Sequence, residues 1–206
     1  KPFLHGFQIG NANERPSLPL ESSGHTSHMM FDRRSMLLGA AALGAASLIP
    51  GAALSALPER RLLLRNAHND ERIDICYFSD GRLRSDGIAE VNHFMRDWRT
   101  GDVTRMDPGL LDTLVQLHAA TDADPRAYFT LISGYRSPQT NDRLHRNTSG
   151  VASQSQHMLG KAVDIRLKDV ALANLHRAAV SLGAGGVGYY PESGFVHVDT
   201  GPVRRW

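Results

Sequence analysis

The chain is nearly without cysteine, since Cys76 is the only one among 206 residues. One thiol cannot form a disulfide within the chain and cannot build a thiolate zinc site. A packed hydrophobic core must therefore stabilise the fold, and any metal ion would be bound by imidazole and carboxylate groups. The ten histidines consequently become the side chains of interest.

An excess of charge of one sign is also missing. The chain has 23 Lys and Arg residues against 21 Asp and Glu residues, which is a net charge of +2. Nucleic-acid-binding proteins concentrate basic residues on one face, so this balance indicates no nucleic-acid partner. The length suits one well-buried domain and is too short for two large ones.

The main apolar run, Gly39 to Ala56, is short and rich in Ala and Gly, whereas a membrane span needs about 20 strongly apolar residues. It follows the pair Arg33-Arg34 and ends in small residues around Ala53 and Ala56. This order is typical of an export signal, and the paired arginines favour the twin-arginine route. We expect cleavage near Ala53 or Ala56 and no stable membrane anchor afterwards.

Three segments follow from this interpretation. Residues 1–31 carry Gly, Asn, Ser, Pro and His without apolar periodicity, and we expect a disordered extension or a wrongly assigned start. Residues 32–56 are the predicted twin-arginine signal peptide. Residues 57–206 form the predicted exported domain, which would act in the periplasm.

The exported segment combines two hydrophobic periods, one of 3.6 residues and one of two residues, which predict helices and strands respectively. Their order predicts an α+β domain in which helices pack on a small antiparallel sheet. The first predicted helix runs from Ser85 to just before Gly101, and the second begins at Pro108 with Asp107 as its N-cap. Two more helices are predicted over 140–146 and 170–182. The predicted strands are 60–65, 73–78, 128–132, 162–167, 186–190 and 194–199.

Three polar side chains occupy unusual positions. Asp164 and His197 each lie between two aliphatic residues of a predicted strand, and His157 lies in the loop before the first of these strands. A polar side chain in a covered interior needs a cation or strong hydrogen-bond partners. If the strands are neighbours, the three groups converge and leave a fourth position for water, as in catalytic zinc sites. The alternative is that these three residues are structural polar groups whose hydrogen bonds are satisfied within the sheet.

The motifs around these residues are more specific than their spacing. Ser133–Ser137, Ser155–Asp164 and Phe195–Asp199 resemble the three signature blocks of the peptidase M15 group of zinc peptidases. Within that group they resemble the branch of bacterial murein endopeptidases and carboxypeptidases once described only as a domain of unknown function. The resemblance covers essentially all of 57–206 and implies a zinc peptidase domain with the hedgehog/DD-peptidase-like fold.

The resemblance also implies roles for individual residues. His157, Asp164 and His197 match the ligands of one Zn²⁺ ion, and Arg136 matches an arginine that binds substrate and stabilises the developing oxyanion. A guanidinium suits that role because its charge is permanent and its donors form a rigid fork.

This chain departs from the pattern of the group at the positions where many relatives have the general base. Many relatives have a Glu three residues before the last ligand or a His two residues before it, whereas this chain has Gly194 and Phe195 there. Two carboxylates are candidates: Glu192 in the preceding turn, and Asp199 on the same strand face as His197. Asp199 could instead orient the His197 imidazole.

The sequence therefore predicts a zinc-dependent peptidase that hydrolyses cross-links or stem peptides of peptidoglycan, at a D,D or an L,D linkage. The alternative is a non-catalytic cell-wall-binding module that keeps the fold, which the absence of a glutamate at Gly194 leaves open. Peptidoglycan peptides are the expected substrate of the peptidase, whereas the binding module would recognise wall peptide or a protein partner.

Overall fold

The computed structural model describes residues 58–148 and 151–206. These residues form one eight-stranded sheet with four α-helices, which confirms the predicted α+β class. The predicted N-terminal extension (1–31) and signal peptide (32–56) lie outside the described residues and stay predictions. No helix within the described ranges is long and apolar enough to cross a membrane.

The sheet consists of β1 (Arg60–Asn66), β2 (Arg72–Ser79), β3 (Arg82–Leu83), β4 (Phe129–Ser133), β5 (Ala162–Leu167), β6 (Gly186–Tyr190), β7 (Phe195–Asp199) and β8 (Arg204–Arg205). Their order across the sheet is β3-β2-β1-β4-β5-β7-β6-β8. Most neighbours are antiparallel, but β1 with β4 and β6 with β8 are parallel. The sheet is therefore larger and more mixed than the predicted one, because long connections let strands return in the same direction.

The helices are α1 (Ser85–Phe94), α2 (Pro108–Ala120), α3 (Pro138–Asn147) and α4 (Leu172–Leu182). Helices α2 and α4 contact each other, and α4 also covers β5, β6 and β7. Leu114 of α2 and Leu175 of α4 are fully buried in one cluster with Leu64 and Ile165 of the sheet. Full burial of such a side chain contributes roughly 1.5–3 kcal/mol. This core supports the sheet beneath the site described below.

Helix α2 begins as the sequence predicts. Pro108 occupies its first turn, and the Asp107 side chain accepts a hydrogen bond from the backbone N–H of Gly109 at 2.9 Å. Proline suits this position because its missing N–H would have no helical partner there. Thr200, which follows β7, donates to the other carboxylate oxygen of Asp107 at 2.6 Å. The cap therefore also ties the helix to the sheet.

Helix α1 is shorter than predicted and ends at Phe94 rather than before Gly101. The cause is Asp97, whose carboxylate accepts the backbone N–H of Arg99 at 3.0 Å and the backbone N–H of Ser137 at 2.9 Å. These bonds fold the chain after α1 into a tight turn. Trp98 consequently leaves the helical face and lies 41% exposed on the surface.

Candidate metal centre and cleft

The centre is built on the pairing of β5 with β7, in which Asp164 lies directly opposite His197. Side chains of directly opposed residues in an antiparallel pair point to the same face and lie close together. The Nδ1 of His197 is 2.9 Å from the Oδ1 of Asp164, and both residues are buried. The sheet register thus brings together two of the three groups that the sequence predicts to converge.

His157 reaches the same place from a single 3₁₀ turn, Gln156–Leu159, just before β5. Ser155 caps this turn, and Gly160 ends it with a φ of 66°. A side chain at Gly160 would be strained at this φ, and its Cβ would lie 2.5 Å from the carbonyl oxygen of Arg105. Glycine is therefore required for the chain to turn from His157 into the strand.

Backbone and side-chain acceptors determine the tautomers of both imidazoles. The Nδ1 of His157 lies 2.7 Å from the carbonyl oxygen of Gly134, so Nδ1 carries the proton and Nε2 is left with a lone pair. The Nε2 of His197 lies 3.0 Å from the Oδ2 of Asp199 and its Nδ1 lies 2.9 Å from the Oδ1 of Asp164, so a proton on Nε2 lets Nδ1 bind a cation in place of a second proton. The Nε2 of His157 and the Nδ1 of His197 face each other at 3.2 Å.

These lone pairs and the Asp164 carboxylate form a set of acceptors that a cation would satisfy. Ligand atoms of His157, Asp164 and His197 all lie within 4.8 Å of one another. Buried acceptors that converge without a donor are unfavourable unless a positive charge lies among them. Two imidazole nitrogens and one carboxylate oxygen suit Zn²⁺, and the hydrogen-bonded far nitrogens are typical of metal-ligating histidines.

The pKa shifts of the three side chains also indicate that the cluster favours a positive charge. Burial alone would raise the pKa of Asp164, but the two imidazoles outweigh burial and hold that pKa below its usual range. Burial lowers the pKa of His157, which keeps this ring neutral. For His197, Asp164 and Asp199 outweigh burial and raise the pKa. The cluster thus favours positive charge at the point where the three side chains meet.

Arg136 lies beside this cluster. Its backbone N–H donates to the carbonyl oxygen of His157 at 3.2 Å, and its Nη2 lies 3.6 Å from the Oδ2 of Asp164. The residue is only 9% exposed, and its Nε has no hydrogen-bond partner among the described residues. Because Arg136 lines the cleft, its guanidinium can bind an oxygen atom of a ligand there.

The segment that carries Arg136 is held rigidly by the turn after α1. Ser137 donates both its backbone N–H and its hydroxyl to the Oδ2 of Asp97, at 2.9 Å and 2.7 Å. Gly134 packs against the same turn, since a Cβ there would lie 2.5 Å from the carbonyl oxygen of Met95. These contacts explain why the Ser133–Ser137 motif has a glycine before its arginine and a serine directly after it.

The cluster and Arg136 line one open cleft of about 310 Å³. Its other walls are the loop after α3 and an aromatic group, which consists of Tyr190, Phe195 and Trp206. The rings of Tyr190 and Phe195 stack with centroids 4.7 Å apart, and the Trp206 ring lies 5.3 Å from that of His197. A ligand in the cleft would therefore contact both the polar cluster and an aromatic wall.

Comparisons with known proteins identify the family. Residues 54–206 match the model of the peptidase M15_2 family, described as peptidoglycan L,D-endopeptidase MepK. The chain belongs to this family. A relative from Escherichia coli strain K12, named peptidoglycan L,D-endopeptidase MepK, is 44% identical over 176 residues, which are 84% of this chain and 96% of the relative. A probable peptidoglycan L,D-endopeptidase MepK from Haemophilus influenzae is 39% identical over 178 residues, 84% of this chain and 94% of the relative.

Membership of the M15_2 family confirms the resemblance to the peptidase M15 group that the three motifs indicated. The convergence of His157, Asp164 and His197 in space is as predicted. Their action as metal ligands, and the action of Arg136 on substrate, stay predictions.

The carboxylate of Asp199 is enclosed by hydrogen-bond donors. Its oxygens accept hydrogen bonds from His197 Nε2, from the backbone N–H groups of Gly186 and Gly201, and from Arg204. These donors outweigh burial and hold the pKa of Asp199 below its usual range. In this M15_2 chain the carboxylate is thus hydrogen-bonded to the His197 ring, and its role as general base or as orienting partner stays a prediction.

Glu192 is exposed in the turn between β6 and β7, and it does not line the cleft, although its neighbour Ser193 does. Its carboxylate would have to turn toward the cluster to act on a water molecule there. A role as general base stays a prediction.

Sequence analysis did not identify Trp206 and Arg204 as residues of the site. Trp206 is brought to His197 by the backbone hydrogen bonds that it forms with Val187 and Tyr189 of β6. No local pattern around Trp206 indicates this pairing, because its partners lie more than a dozen residues away in the sequence.

Proposed function

We propose that this protein is a zinc-dependent peptidase that hydrolyses peptide bonds of peptidoglycan, in cross-links or in stem peptides. The observation that carries the proposal is the buried cluster of His157, Asp164 and His197 beside Arg136 in an open cleft. The M15_2 match and the names of the relatives support peptidoglycan as substrate. Of the linkages that the sequence left open, these names favour the L,D linkage.

The proposed zinc site uses Nε2 of His157, Nδ1 of His197 and the carboxylate of Asp164. Zn²⁺, when bound, polarises a carbonyl group and lowers the pKa of water at the site to about 7. Gly134 and Asp199 keep the two ring nitrogens unprotonated toward the ion by accepting the protons on the far side of each ring. This arrangement lets the three side chains bind a cation without rearrangement.

Arg136 would bind the carbonyl oxygen of the scissile bond and stabilise the negative charge that develops on it. Its place in the lining of the cleft and its position beside Asp164 support this role. A fixed donor aimed at developing charge needs no reorganisation during the reaction. For proton transfer we propose Glu192, because the oxygens of Asp199 are already used by four donors.

We also propose that residues 32–56 direct export through the twin-arginine route and that the mature domain, 57–206, acts in the periplasm. The Arg33-Arg34 pair before the apolar run supports the route. Replacing both arginines by lysine should abolish export of a fused reporter that crosses the membrane only when folded. Continued export of that reporter would contradict the twin-arginine assignment.

The deciding experiment incubates the purified protein with isolated sacculi and with muropeptides of defined linkage, and it identifies products by mass spectrometry. We expect release of fragments cut at an L,D linkage, loss of release with a chelator and recovery on addition of Zn²⁺. Cleavage at a D,D linkage alone would contradict the linkage assignment. Binding to sacculi without release of fragments is the outcome that a non-catalytic wall-binding module predicts.

A further inference from the structure

The hydroxyl group of Tyr190 has an unusual partner. The indole Nε1 of Trp206 lies 2.7 Å from the Tyr190 oxygen. An indole N–H can only donate, so the tyrosine oxygen must be the acceptor in this bond. The phenolic proton of Tyr190 is then left for another acceptor, and no hydrogen bond among the described residues uses it.

The surroundings of Tyr190 limit where this proton can be donated. Tyr190 lies at the end of β6 opposite Phe195 of β7, and the two rings stack at an interplanar angle of 25°. Stacking limits rotation of the phenol ring, and the indole occupies one side of its oxygen. Tyr190 lines the same cleft as Arg136 and His197. Its hydroxyl is therefore a positioned donor in the cleft that holds the metal-binding cluster.

Contacts with β6 and with Arg204 hold Trp206 in place. Its ring crosses β6 at Gly188, where a Cβ would lie 2.8 Å from the indole. Gly188 is opposite His197 in the strand register, so the indole packs beside that imidazole. Arg204, which is bound to Asp199, lies 5.1 Å from the indole centroid. The donor to Tyr190 is thus fixed by the same groups that orient His197.

A hydroxyl that accepts one hydrogen bond becomes a better donor in the next, because hydrogen bonds in a chain polarise one another. Tyr190 and Arg136 line the same cleft. Two donors of different type therefore border one cleft next to the predicted metal position.

We propose that Tyr190 is a further catalytic residue, which donates a hydrogen bond to the scissile carbonyl oxygen as negative charge develops on it. Trp206 is the positioning residue that turns the phenolic proton into the cleft. This inference rests on the proposed peptidase function, and it adds to Arg136 a second donor for the same oxygen.

The test compares Tyr190→Phe, Trp206→Phe and the double variant with the full-chain protein on a muropeptide of defined linkage. Tyr189→Phe is the matched control, since Tyr189 packs against the core and stacks on His176 outside the cleft. We expect Tyr190→Phe to lower kcat by about ten- to a hundredfold with KM nearly unchanged, somewhat less than the loss typical of a dedicated oxyanion donor. Zinc content and the control variant should be unaffected.

Trp206→Phe keeps an aromatic ring but removes the N–H donor. We expect a smaller loss of kcat and no further loss when this change is added to Tyr190→Phe, because both changes act through one hydrogen bond. Fully additive losses would overturn the positioning role of Trp206, since a merely structural effect would not depend on the Tyr190 hydroxyl.

A second measurement does not depend on turnover. A phosphinate peptide, in which tetrahedral phosphorus replaces the scissile carbonyl carbon, should bind Tyr190→Phe about ten- to a hundredfold more weakly, whereas a product peptide should bind equally well. Unchanged kcat and unchanged phosphinate binding, or a rise in KM alone, would overturn the assignment of Tyr190 while wild-type cleavage left the proposed function intact. A wild-type protein that cleaves no muropeptide would overturn both.

Discussion

His197 lies directly opposite Asp164 in the sheet, and its Nδ1 is 2.9 Å from the Asp164 carboxylate while its Nε2 is 3.0 Å from that of Asp199. One imidazole is thus held between two carboxylates for which we propose different functions. The first points, with His157, toward the proposed metal position, and the second is enclosed by donors and fixes the ring. The two carboxylates therefore give separate experimental tests.

Removing a proposed ligand should eliminate metal and activity together. His157→Ala and Asp164→Ala each leave only two of the three groups, so we expect loss of bound zinc and loss of muropeptide hydrolysis. Elemental analysis and product analysis on the same samples check this. His93→Ala, a change of an exposed histidine on α1, is the control. Full hydrolysis by metal-free His157→Ala would refute the metal assignment.

Arg136→Ala should separate binding of metal from turnover. The guanidinium is not among the proposed ligands, so zinc content should stay at the wild-type level, whereas kcat should fall by about 10²–10³ as for other lost oxyanion donors. Arg136→Lys keeps the charge without the rigid fork and should recover part of the rate. A wild-type rate in Arg136→Ala would remove this residue from the mechanism.

Asp199→Asn distinguishes an orienting role from proton transfer. An orienting partner of a metal-ligating histidine typically contributes 10–100-fold to metal affinity, so we expect zinc affinity to fall by about that factor. Activity should return when zinc is supplied in excess. Loss of hydrolysis with zinc fully bound would instead indicate that Asp199 transfers the proton.

Glu192→Gln tests the proposed general base directly. A positioned base contributes about 10²–10⁴ to the rate, so kcat should fall within this range with zinc retained. Because Glu192 is exposed, thermal unfolding should be unchanged. Wild-type kcat in this variant would exclude Glu192 as the base.

Stability should depend on the ionisation of Asp97 below neutral pH. Burial opposes the charge, but hydrogen bonds, among them those from Ser137, outweigh burial and lower the pKa of Asp97 in the folded protein. A lowered folded pKa contributes stability that is present above the unfolded value of about 3.9 and is lost as the pH falls through the folded value.

The check is denaturant unfolding of wild type and Asp97→Asn over pH 2–7. At neutral pH we expect the variant to be less stable by roughly 1.5–3 kcal/mol, the range for hydrogen bonds to a charged group. The difference should shrink as the pH falls below about 4, because the wild type then loses the same charge. A difference that is constant with pH would show that the Asp97 charge is not what stabilises the fold.

Local patterns were sufficient for many individual elements. The alternation around Asp164 predicted β5 with its exact bounds, and the Asp107-Pro108 pair predicted the start of α2. Period and capping involve residues only a few positions apart, so a single sequence contains that information. The end of α1 was wrong because Asp97 is bound by Ser137, 40 residues further along the chain.

By itself, the sequence determined the α+β class, the family motifs and the identity of the three side chains that converge. Only the tertiary structure decided the register that sets Asp164 against His197, the donors that occupy Asp199, and the approach of Trp206 to Tyr190. The physical reason is distance along the chain. These contacts join residues whose meeting depends on how whole strands pair and pack, and no short stretch of sequence records that pairing.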